Sequence, residues 1–247
     1  NVGAPQVAYR ETFSKEAEID YTHKKQSGGA GQFARLKIII TPNKPGEGYQ
    51  FTSEIVGGNI PKEYIPAVDK GVQEQLQNGV IAGYPVVDVK VTLFDGSFHE
   101  VDSSELSFKL AAQLCFKNAC KTAKPTLLEP IMKLEIVVKD DYVGDVMGDV
   151  NKRRGHVLGM EPLPGGKQKI IGEAPEAEIM SYTIDLKAMT QGTGEFQRKF
   201  VRYDEVPESL QGRILSQLKE EGKDRSIKEQ RLLGIEKSKE LKGSVYR

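Results

Sequence analysis

Several kinds of chemistry need residues that this sequence lacks or holds in small number. Only two cysteines and three histidines occur among its 247 residues. Cys115 and Cys120 lie five positions apart, which is neither a metal-knuckle nor a redox spacing. The sequence also has no H-E-x-x-H motif, no Cys/His metal pattern and no phosphate-binding loop of the form G-x-x-x-x-G-K-[ST]. We therefore expect no metal, no nucleotide cofactor and no catalytic residue in this chain.

Net charge and long apolar runs are lacking as well. Lysine plus arginine number 35, as do aspartate plus glutamate, so attraction to a nucleic acid would have to come from local clusters. No apolar run has the length of a membrane span, and no signal peptide is visible. The composition, 38% hydrophobic and 28% charged, predicts a soluble globular protein without a membrane partner, and the cysteine usage favours a cytoplasmic setting. The first residue is Asn1 rather than Met, so we expect a fragment or a processed product.

The sequence predicts two α+β domains, residues 1–127 and 128–206, and a tail, residues 207–247. In the first domain, "ARLKIIIT" and "PVVDVKVTL" alternate apolar and polar residues, as half-buried strands do. Their apolar positions are Ala34, Leu36, Ile38, Ile40, Val87, Val89, Val91 and Leu93. The segment "IPAVDKGVQEQLQNG" predicts a helix with Pro66 in its first turn and Gly79 as its C-terminal cap.

A second helix is predicted from about Ser103. Asp102 and Glu105 have the spacing of a capping box. Apolar residues recur at helical spacing in "SELSFKLAAQLCFKNAC" and predict one buried face. The members of that face are Leu106, Leu110, Leu114, Ala111, Cys115 and Ala119.

The second domain has a more regular order of elements. A strand in "IMKLEIVV" and a helix in "YVGDVMGDVNKRRG" are followed by short strands around "HVLGMEPL" and "KQKIIGEAP". A helix in "EAEIMSYTIDLKAMTQG" and a strand in "EFQRKFVRY" complete the series. The order β-α-β-β-α-β with short connections predicts a ferredoxin-like domain. In the tail, Leu210, Ile214 and Leu218 form a helical stripe, and the charged residues beyond Gly222 predict a solvated helix or a disordered end.

Two loops of the first domain hold candidate binding residues. The stretch "HKKQSGGAGQF" places Gly28, Gly29 and Gly31 after two lysines, and glycine lets another backbone approach closely. Glycine-rich turns beside strands are nevertheless common. The stretch "GSFHEVDSS" places His99 before a helix N-terminus, where backbone N–H groups favour an anion such as phosphate. If packing brings the two loops together, their polar side chains can contact RNA without performing chemistry.

Simpler interpretations of the same residues stay open. A catalytic triad of His99, Ser103 and Asp102 needs a geometry that closeness in sequence does not supply, and helix capping explains these residue types more simply. The basic run "NKRRG", Lys152 to Arg154, favours a solvated helix end, because cations there interact well with the helix dipole. Contact of this run with RNA is the second interpretation.

The chain resembles the C-terminal part of bacterial elongation factor G, its fourth and fifth domains. The matching segments occur in family order and cover most of the chain. They are "KQSGGAGQF", "GGNIPKEYIPAVDKGVQEQL", "AGYPVVDVKVTLFDGSFHEVDSSELSFKLAA", "LLEPIMKLEI", "GDVMGDVNKRRGHVLGME" and "TQGTGEF". The resemblance implies a βαβ domain related to a ribosomal-protein fold, followed by a ferredoxin-like domain. It also implies an upstream GTPase domain that holds GTP and Mg²⁺.

The resemblance implies partners as well. Members of this family move transfer RNA and messenger RNA through the ribosome. Their fourth domain reaches the decoding region of the small subunit, and their fifth lies near the stalk base of the large subunit. The residues implied to contact messenger and transfer RNA are Lys24, Lys25, Gln26, Ser27, Gly28, Gly29, Gly31, Gln32, His99 and Glu100. The candidate contacts to ribosomal RNA in the second domain are Lys152, Arg153, Arg154 and Lys187.

Other functions remain alternatives to a translocation factor. The family commonly has arginine where Ala30, Lys187 and Thr193 stand, which favours a paralogue acting in ribosome recycling or ribosome protection. A hydrolase that uses His99 with Ser103 or Asp102 is a second class. A stand-alone interaction module without a role in RNA binding is a third.

Overall fold

The computed structural model describes residues 7–26, 28–29 and 31–221. The chain forms two compact units, Asn1–Glu205 and Val206–Arg247. The described strands are Arg10–Phe13 (β1), Ala17–Lys25 (β2), Gln32–Pro42 (β3), Gln50–Ser53 (β4), Val89–Ser97 (β5), Pro125–Lys139 (β6), His156–Leu163 (β7), Lys167–Pro175 (β8) and Glu195–Glu205 (β9). The described α-helices are Ile65–Asn78 (α1), Glu105–Thr122 (α2), Val143–Lys152 (α3), Tyr182–Met189 (α4) and residues 208–221 (α5). The predicted α+β class is confirmed. Within the described ranges, no helix is long and apolar enough to cross a membrane.

The first sheet has the strand order β2-β3-β5-β4. β3 is antiparallel to both β2 and β5, whereas β4 runs parallel to β5. The alternation predicted for β3 is confirmed, because Ala34, Leu36, Ile38 and Ile40 are buried and the residues between them are not. These side chains share one hydrophobic core with α1 and α2. Burial of the leucine and of each of the two isoleucines contributes about 1.5–3 kcal/mol, so this face fixes the register of the sheet.

β5 begins later than its sequence pattern predicts. Asp88 has φ of 58°, a left-handed conformation that interrupts an extended strand. Its carboxylate accepts hydrogen bonds from the backbone N–H groups of Gly46 (3.1 Å) and Gly48 (3.0 Å). Val87 therefore lies outside the strand and only half-buried, while Val89, Val91 and Leu93 are buried as predicted.

The prediction for α1 is confirmed at both ends. Pro66 lies in its first turn, and Gly79 follows its last residue with φ of 69°. A Cβ atom on Gly71 would collide with the carbonyl oxygen of Lys109 and with the side chain of Ala112. The absence of a side chain at Gly71 therefore lets α1 and α2 approach each other closely.

Two details predicted for α2 are wrong. Its capping box is made by Ser104 and Ser107, whose side chains bond each other's backbone N–H groups, and not by Asp102 and Glu105. The buried face contains Ala111, Cys115 and Ala119 as predicted, but Leu106 and Leu114 are 54% and 41% exposed. Small side chains occupy the face toward the sheet because α2 packs closely against β2 and β3. The aromatic rings of Phe108 and Phe116 fill the remaining space of this core.

The second sheet confirms the ferredoxin-like prediction. β6, α3, β7, β8, α4 and β9 follow in chain order, and the strands are arranged β9-β6-β8-β7 with antiparallel pairing. Met132, Leu134, Ile136 and Val138 of β6 pack with α3 and α4 in a second hydrophobic core. α4 starts at Tyr182, later than its sequence predicts, because a short 3-10 helix, Glu176–Glu178, precedes it.

β1 joins this second sheet although it comes first in the chain. Its four residues pair with the start of β6, from Arg10 opposite Leu128 to Phe13 opposite Pro125. β6 itself runs across residue 127, the predicted end of the first domain. The two halves of the unit Asn1–Glu205 thus share a sheet, and their division at residues 127 and 128 stays a prediction.

Glu11 of β1 carries a buried carboxylate, with only 1% of the residue exposed. One carboxylate oxygen, Oε1, accepts the backbone N–H groups of Val80 and Ile81, each at 2.6 Å. The other, Oε2, accepts those of Ala82 (3.1 Å) and Tyr84 (2.8 Å). This ring of backbone dipoles stabilises the negative charge and fastens the loop after α1 to β1.

The unit Val206–Arg247 is described only as far as residue 221. Leu210, Ile214 and Leu218 are half-buried on α5, in agreement with the predicted stripe. The charged segment beyond Gly222 lies outside the described residues.

Candidate nucleic-acid interface

Strand pairing brings two of the loops singled out in the sequence to the same end of the first sheet. The last residue of β2, Lys25, pairs with the first residue of β3, Gln32. Near the start of β3, Arg35 pairs with Ser97, the last residue of β5. The loop of residues 26–31 (the first loop) and the loop of residues 98–104 (the second loop) therefore leave the sheet together. We call this end of the sheet the tip.

The second loop bonds the start of β3 and lies close to Gly31 of the first loop. The N–H group of Phe33 donates to the carbonyl oxygen of Asp102 at 2.9 Å, and the Ser103 hydroxyl donates to the carbonyl oxygen of Phe33 at 2.7 Å. A Cβ atom on Gly31 would lie 3.0 Å from the Asp102 carboxylate. Gly31 thus permits a close approach that a larger residue would disturb.

His99 is held by backbone contacts and points one ring nitrogen outward. Its Nδ1 accepts the N–H groups of Val101 (3.3 Å) and Asp102 (3.2 Å), so in the neutral ring the proton lies on Nε2. The side chain is 56% exposed, and its ring lies 6.4 Å from that of Phe33. Nε2–H is therefore a donor available to a partner at the tip. Glu100, the next residue, is exposed as well.

The end of β2 presents charge, and the first loop that follows it presents bare backbone. Lys24, Lys25 and Gln26 are exposed, as are Gly28 and Gly29, and Gly28 has φ of 47°. Gln32 is only half-exposed, because its side-chain oxygen is paired with Nε2 of His23 at 2.9 Å. Ser27, a predicted contact, and Ala30 lie outside the described residues.

The geometry of the second loop does not support a nucleophilic triad. The hydroxyl of Ser103 accepts the N–H group of His99 at 2.8 Å while it donates to Phe33. The imidazole of His99 is turned to backbone N–H groups rather than to that hydroxyl. A serine nucleophile needs its base within hydrogen-bond reach, so these contacts are those of a capped, rigid loop.

The basic run after α3 is largely tied into the fold. Nε of Arg153 donates to Asp149 (2.8 Å), and its two terminal nitrogens donate to Asp185 (2.7 Å) and to the carbonyl oxygen of Glu178 (2.8 Å). Its guanidinium also lies over the ring of Tyr182, 4.9 Å from the centroid. Burial opposes the charge of Arg153, but these carboxylates outweigh it and raise the pKa of the guanidinium.

Arg154 is engaged in the same way. It forms a bidentate pair with Glu129, at 2.7 and 2.9 Å, and a further bond to Glu178 at 3.1 Å. These hydrogen bonds raise the pKa of the guanidinium, and Glu129 is almost fully buried. Because both arginines already have carboxylate partners, we do not include them in the interface proposed below.

The two lysines predicted with them differ in position. Lys152, the last residue of α3, is exposed and remains available. Lys187 donates to the carbonyl oxygen of Gly192 at 3.3 Å, near the end of α4, where a cation also interacts well with the helix dipole. Contact of either lysine with ribosomal RNA stays a prediction.

Comparison with known proteins relates most of the chain to one family. A family model described as "Elongation factor G, domain IV" matches residues 5–124, and one described as "Elongation factor G C-terminus" matches residues 126–214. The chain belongs to the elongation factor G family. The first model contains both tip loops, and the second contains α3, α4 and the arginine pairs.

A solved structure extends the likeness to three dimensions. A protein of Thermus thermophilus superposes with a TM-score of 0.79 at 40% sequence identity over 88% of this chain. The chain spans only 32% of that protein's length. The part of an elongation factor G-like protein seen here is thus its domain IV and C-terminal region.

Sequence reasoning missed part of the tip. Phe98 and Val101, both apolar, are 39% and 78% exposed in the second loop, and a further loop after β4 reaches the same end. In the sequence, Gly57 and Gly58 indicate a turn after β4. The position of that turn at the tip depends on the parallel pairing of β4 with β5, which no local sequence pattern predicts.

Proposed function

We propose that this chain is the ribosome-binding arm of a cytoplasmic translation factor related to elongation factor G, and that its tip contacts messenger and transfer RNA in the decoding region of the small subunit. The observation that carries the proposal is that the two tip loops lie side by side. Asp102 and Ser103 of the second loop bond Phe33 at the start of β3, and a Cβ atom on Gly31 of the first loop would lie 3.0 Å from the Asp102 carboxylate. Membership of the elongation factor G family supports the choice of RNA on the ribosome as the partner of that surface.

The chemistry of the tip suits RNA. Lys24 and Lys25 supply positive charge for phosphate groups, and Gly28 and Gly29 offer backbone that can approach closely. Nε2–H of His99 can donate to a phosphate, a ribose hydroxyl or a base. The bonds that fix the second loop hold His99 in place before binding, which reduces the entropy lost on association.

Under this proposal the arm moves RNA without breaking a bond. The tip occupies the space that the messenger–transfer RNA duplex leaves and blocks its return, which makes thermal motion directional. GTP and Mg²⁺ act in an upstream GTPase domain, consistent with the missing phosphate-binding motif in this sequence. The second half of the chain then lies near the stalk base of the large subunit, where Lys152 and Lys187 are its candidate contacts.

The test is single-round translocation by a chimera in which this chain replaces the matching part of an established elongation factor G. We expect near-normal translocation and near-normal GTP hydrolysis. His99→Ala in the chimera should slow translocation while leaving hydrolysis nearly intact, and His156→Ala, an exposed histidine of β7, serves as the matched control. An equal loss of hydrolysis in His99→Ala would argue against the mechanism.

One outcome would favour the paralogue. Normal hydrolysis with little movement by the unmodified chimera would mean that the arm serves ribosome recycling or protection. Lys187 and Thr193 support that alternative. The family commonly has arginine at these two positions, and neither lysine nor threonine reproduces a bidentate arginine contact.

A further inference from the structure

A third loop reaches the tip beside the other two. It comprises residues 54–62 and follows β4, which runs parallel to β5. Parallel strands end at the same edge of a sheet, so the third loop begins where β5 approaches the second loop. The N–H group of Glu54 donates to the carbonyl oxygen of Leu93 at 2.7 Å, which continues the pairing beyond β4.

The third loop is fastened to the tip at three points. The side-chain amide of Asn59 donates to the Asp95 carboxylate at 3.0 Å. Ile60 is fully buried, and it lies so close to Gly96 that a Cβ atom there would be 2.6 Å from the isoleucine side chain. The hydroxyl of Tyr64, just beyond the loop, donates to the carbonyl oxygen of Ser103 in the second loop at 3.3 Å. These contacts fix the ends of the loop and leave its middle projecting.

The projecting residues have no evident role in the fold. Val56 is 77% exposed. Gly57 and Gly58 have φ of 68° and 74°, and a Cβ atom on either would meet nothing within 4 Å. Their backbone is therefore open to a partner on the side where a Cβ atom would stand. Lys62, at the end of the loop, is exposed and makes no ion pair with any residue that the structure describes.

We propose that the third loop is a further RNA-binding element of the tip, in which Lys62 contacts a phosphate and the backbone of Gly57 and Gly58 packs against ribose or an unstacked base. This inference rests on the proposed function, because the first two loops must meet the same RNA. The exposed side chains of Val56 in the third loop and Val101 in the second loop supply apolar surface for bases. RNA whose bases are splayed out is recognised by such combinations of apolar contact and backbone contact.

The native cysteines make a site-directed test practical. Cys115 and Cys120 are buried, and burial raises the pKa of the Cys115 thiol to about 12, so an introduced surface cysteine is labelled selectively. Iron–EDTA is tethered to Val56→Cys, to Val101→Cys or to Lys121→Cys in the full chain bound to ribosomes that hold messenger and transfer RNA. Lys121 is exposed and lies 16 residues after Glu105, the first residue of α2, so it is about 24 Å from the tip end of that helix and is the matched control.

We expect cleavage of overlapping RNA segments from positions 56 and 101 and none of those segments from position 121. Cleavage from position 101 alone would overturn the role of the third loop and leave the proposed function standing. Absence of cleavage from both tip positions would overturn the proposed function and this inference together.

The salt dependence of binding tests Lys62 separately. A lysine that contacts one phosphate contributes ~0.7–0.9 to the slope of log K against log salt concentration. Lys62→Gln should lower the slope by that amount, whereas Lys121→Gln should leave it unchanged. An unchanged slope in Lys62→Gln would refute the phosphate contact.

Discussion

Replacing Glu11 with glutamine should destabilise the protein severely, although the two side chains have nearly the same size. The carboxylate of Glu11 accepts four backbone N–H groups from the loop after α1, at 2.6 to 3.1 Å, and it is buried. A glutamine offers one acceptor oxygen, so two of these N–H groups would face the donor NH₂ group instead. The tight turn allows no easy adjustment, because a Cβ atom on Gly79 would already collide with the carboxylate.

The expected loss follows from those two bonds. A hydrogen bond to a charged group contributes about 1.5–3 kcal/mol to stability. Loss of two such bonds therefore predicts that the free energy of unfolding falls by about 3–6 kcal/mol. The two N–H groups would stay buried without acceptors, and this desolvation cost makes a smaller change unexpected. Since small domains are stable by only about 5–15 kcal/mol in total, the variant should unfold at a much lower urea concentration.

Urea unfolding followed by circular dichroism measures the change. Glu18→Gln is the matched control, because Glu18 is an exposed residue of the next strand and should change stability by less than about 0.5 kcal/mol. A Glu11→Gln variant within about 1 kcal/mol of the unmodified chain would refute the assignment of the buried carboxylate as the fastening of this loop.

Three further predictions concern the second half of the chain and the cysteines. The buried hydroxyl of Tyr182 has no hydrogen-bond partner among the described residues, so Tyr182→Phe should raise stability by about 1 kcal/mol in urea unfolding, and an equal loss would contradict this. Hydrogen bonds from Arg153 and Ser181 lower the pKa of Asp185. The contribution of Asp185 to stability is therefore present above the unfolded pKa, about 4, and is lost as pH falls through the lower folded pKa. Asp185→Asn should destabilise the chain at pH 7, and unfolding curves at successively lower pH should show a smaller effect. Burial raises the pKa of both thiols, so the folded chain should resist iodoacetamide at pH 7 until urea unfolds it, as mass spectrometry would report.

The spacing of apolar residues predicted most of the strands and helices, because that spacing reflects the burial of one face of each element. The alternation in β3 and the helical spacing in α3 both reflect side chains that the fold places inside. α2 is the exception. The spacing of its leucines predicts a buried row, yet the close packing of α2 on the sheet selects small residues, and Leu106 and Leu114 face outward. Periodicity locates an apolar stripe but does not tell which of two adjoining stripes meets the sheet.

The candidate site was predicted in a similarly uneven way. Glycine content and nearby lysines pointed to the first loop, and a helix N-terminus pointed to the second. The run at Lys152 to Arg154 predicts a solvated basic helix end, but Glu129 and Glu178, distant in sequence, pair with Arg154. Carboxylates that other strands and helices bring next to an arginine cannot be identified from the residues beside it in sequence.

The sequence by itself determined the elements, the order of the ferredoxin-like half and the family, since these depend on local spacing and on long matching segments. Only the tertiary structure decided which loops share the tip. The pairing of Arg35 with Ser97 and of β4 with β5 joins segments far apart along the chain. Backbone hydrogen bonds between strands use the same N–H and C=O groups in nearly every residue, so the sequence of a strand does not tell which strand it pairs with. The same holds for Glu11, whose four donors lie about seventy residues away. The backbone bonds of Glu11 with Pro85 and Val87 bring them to its carboxylate.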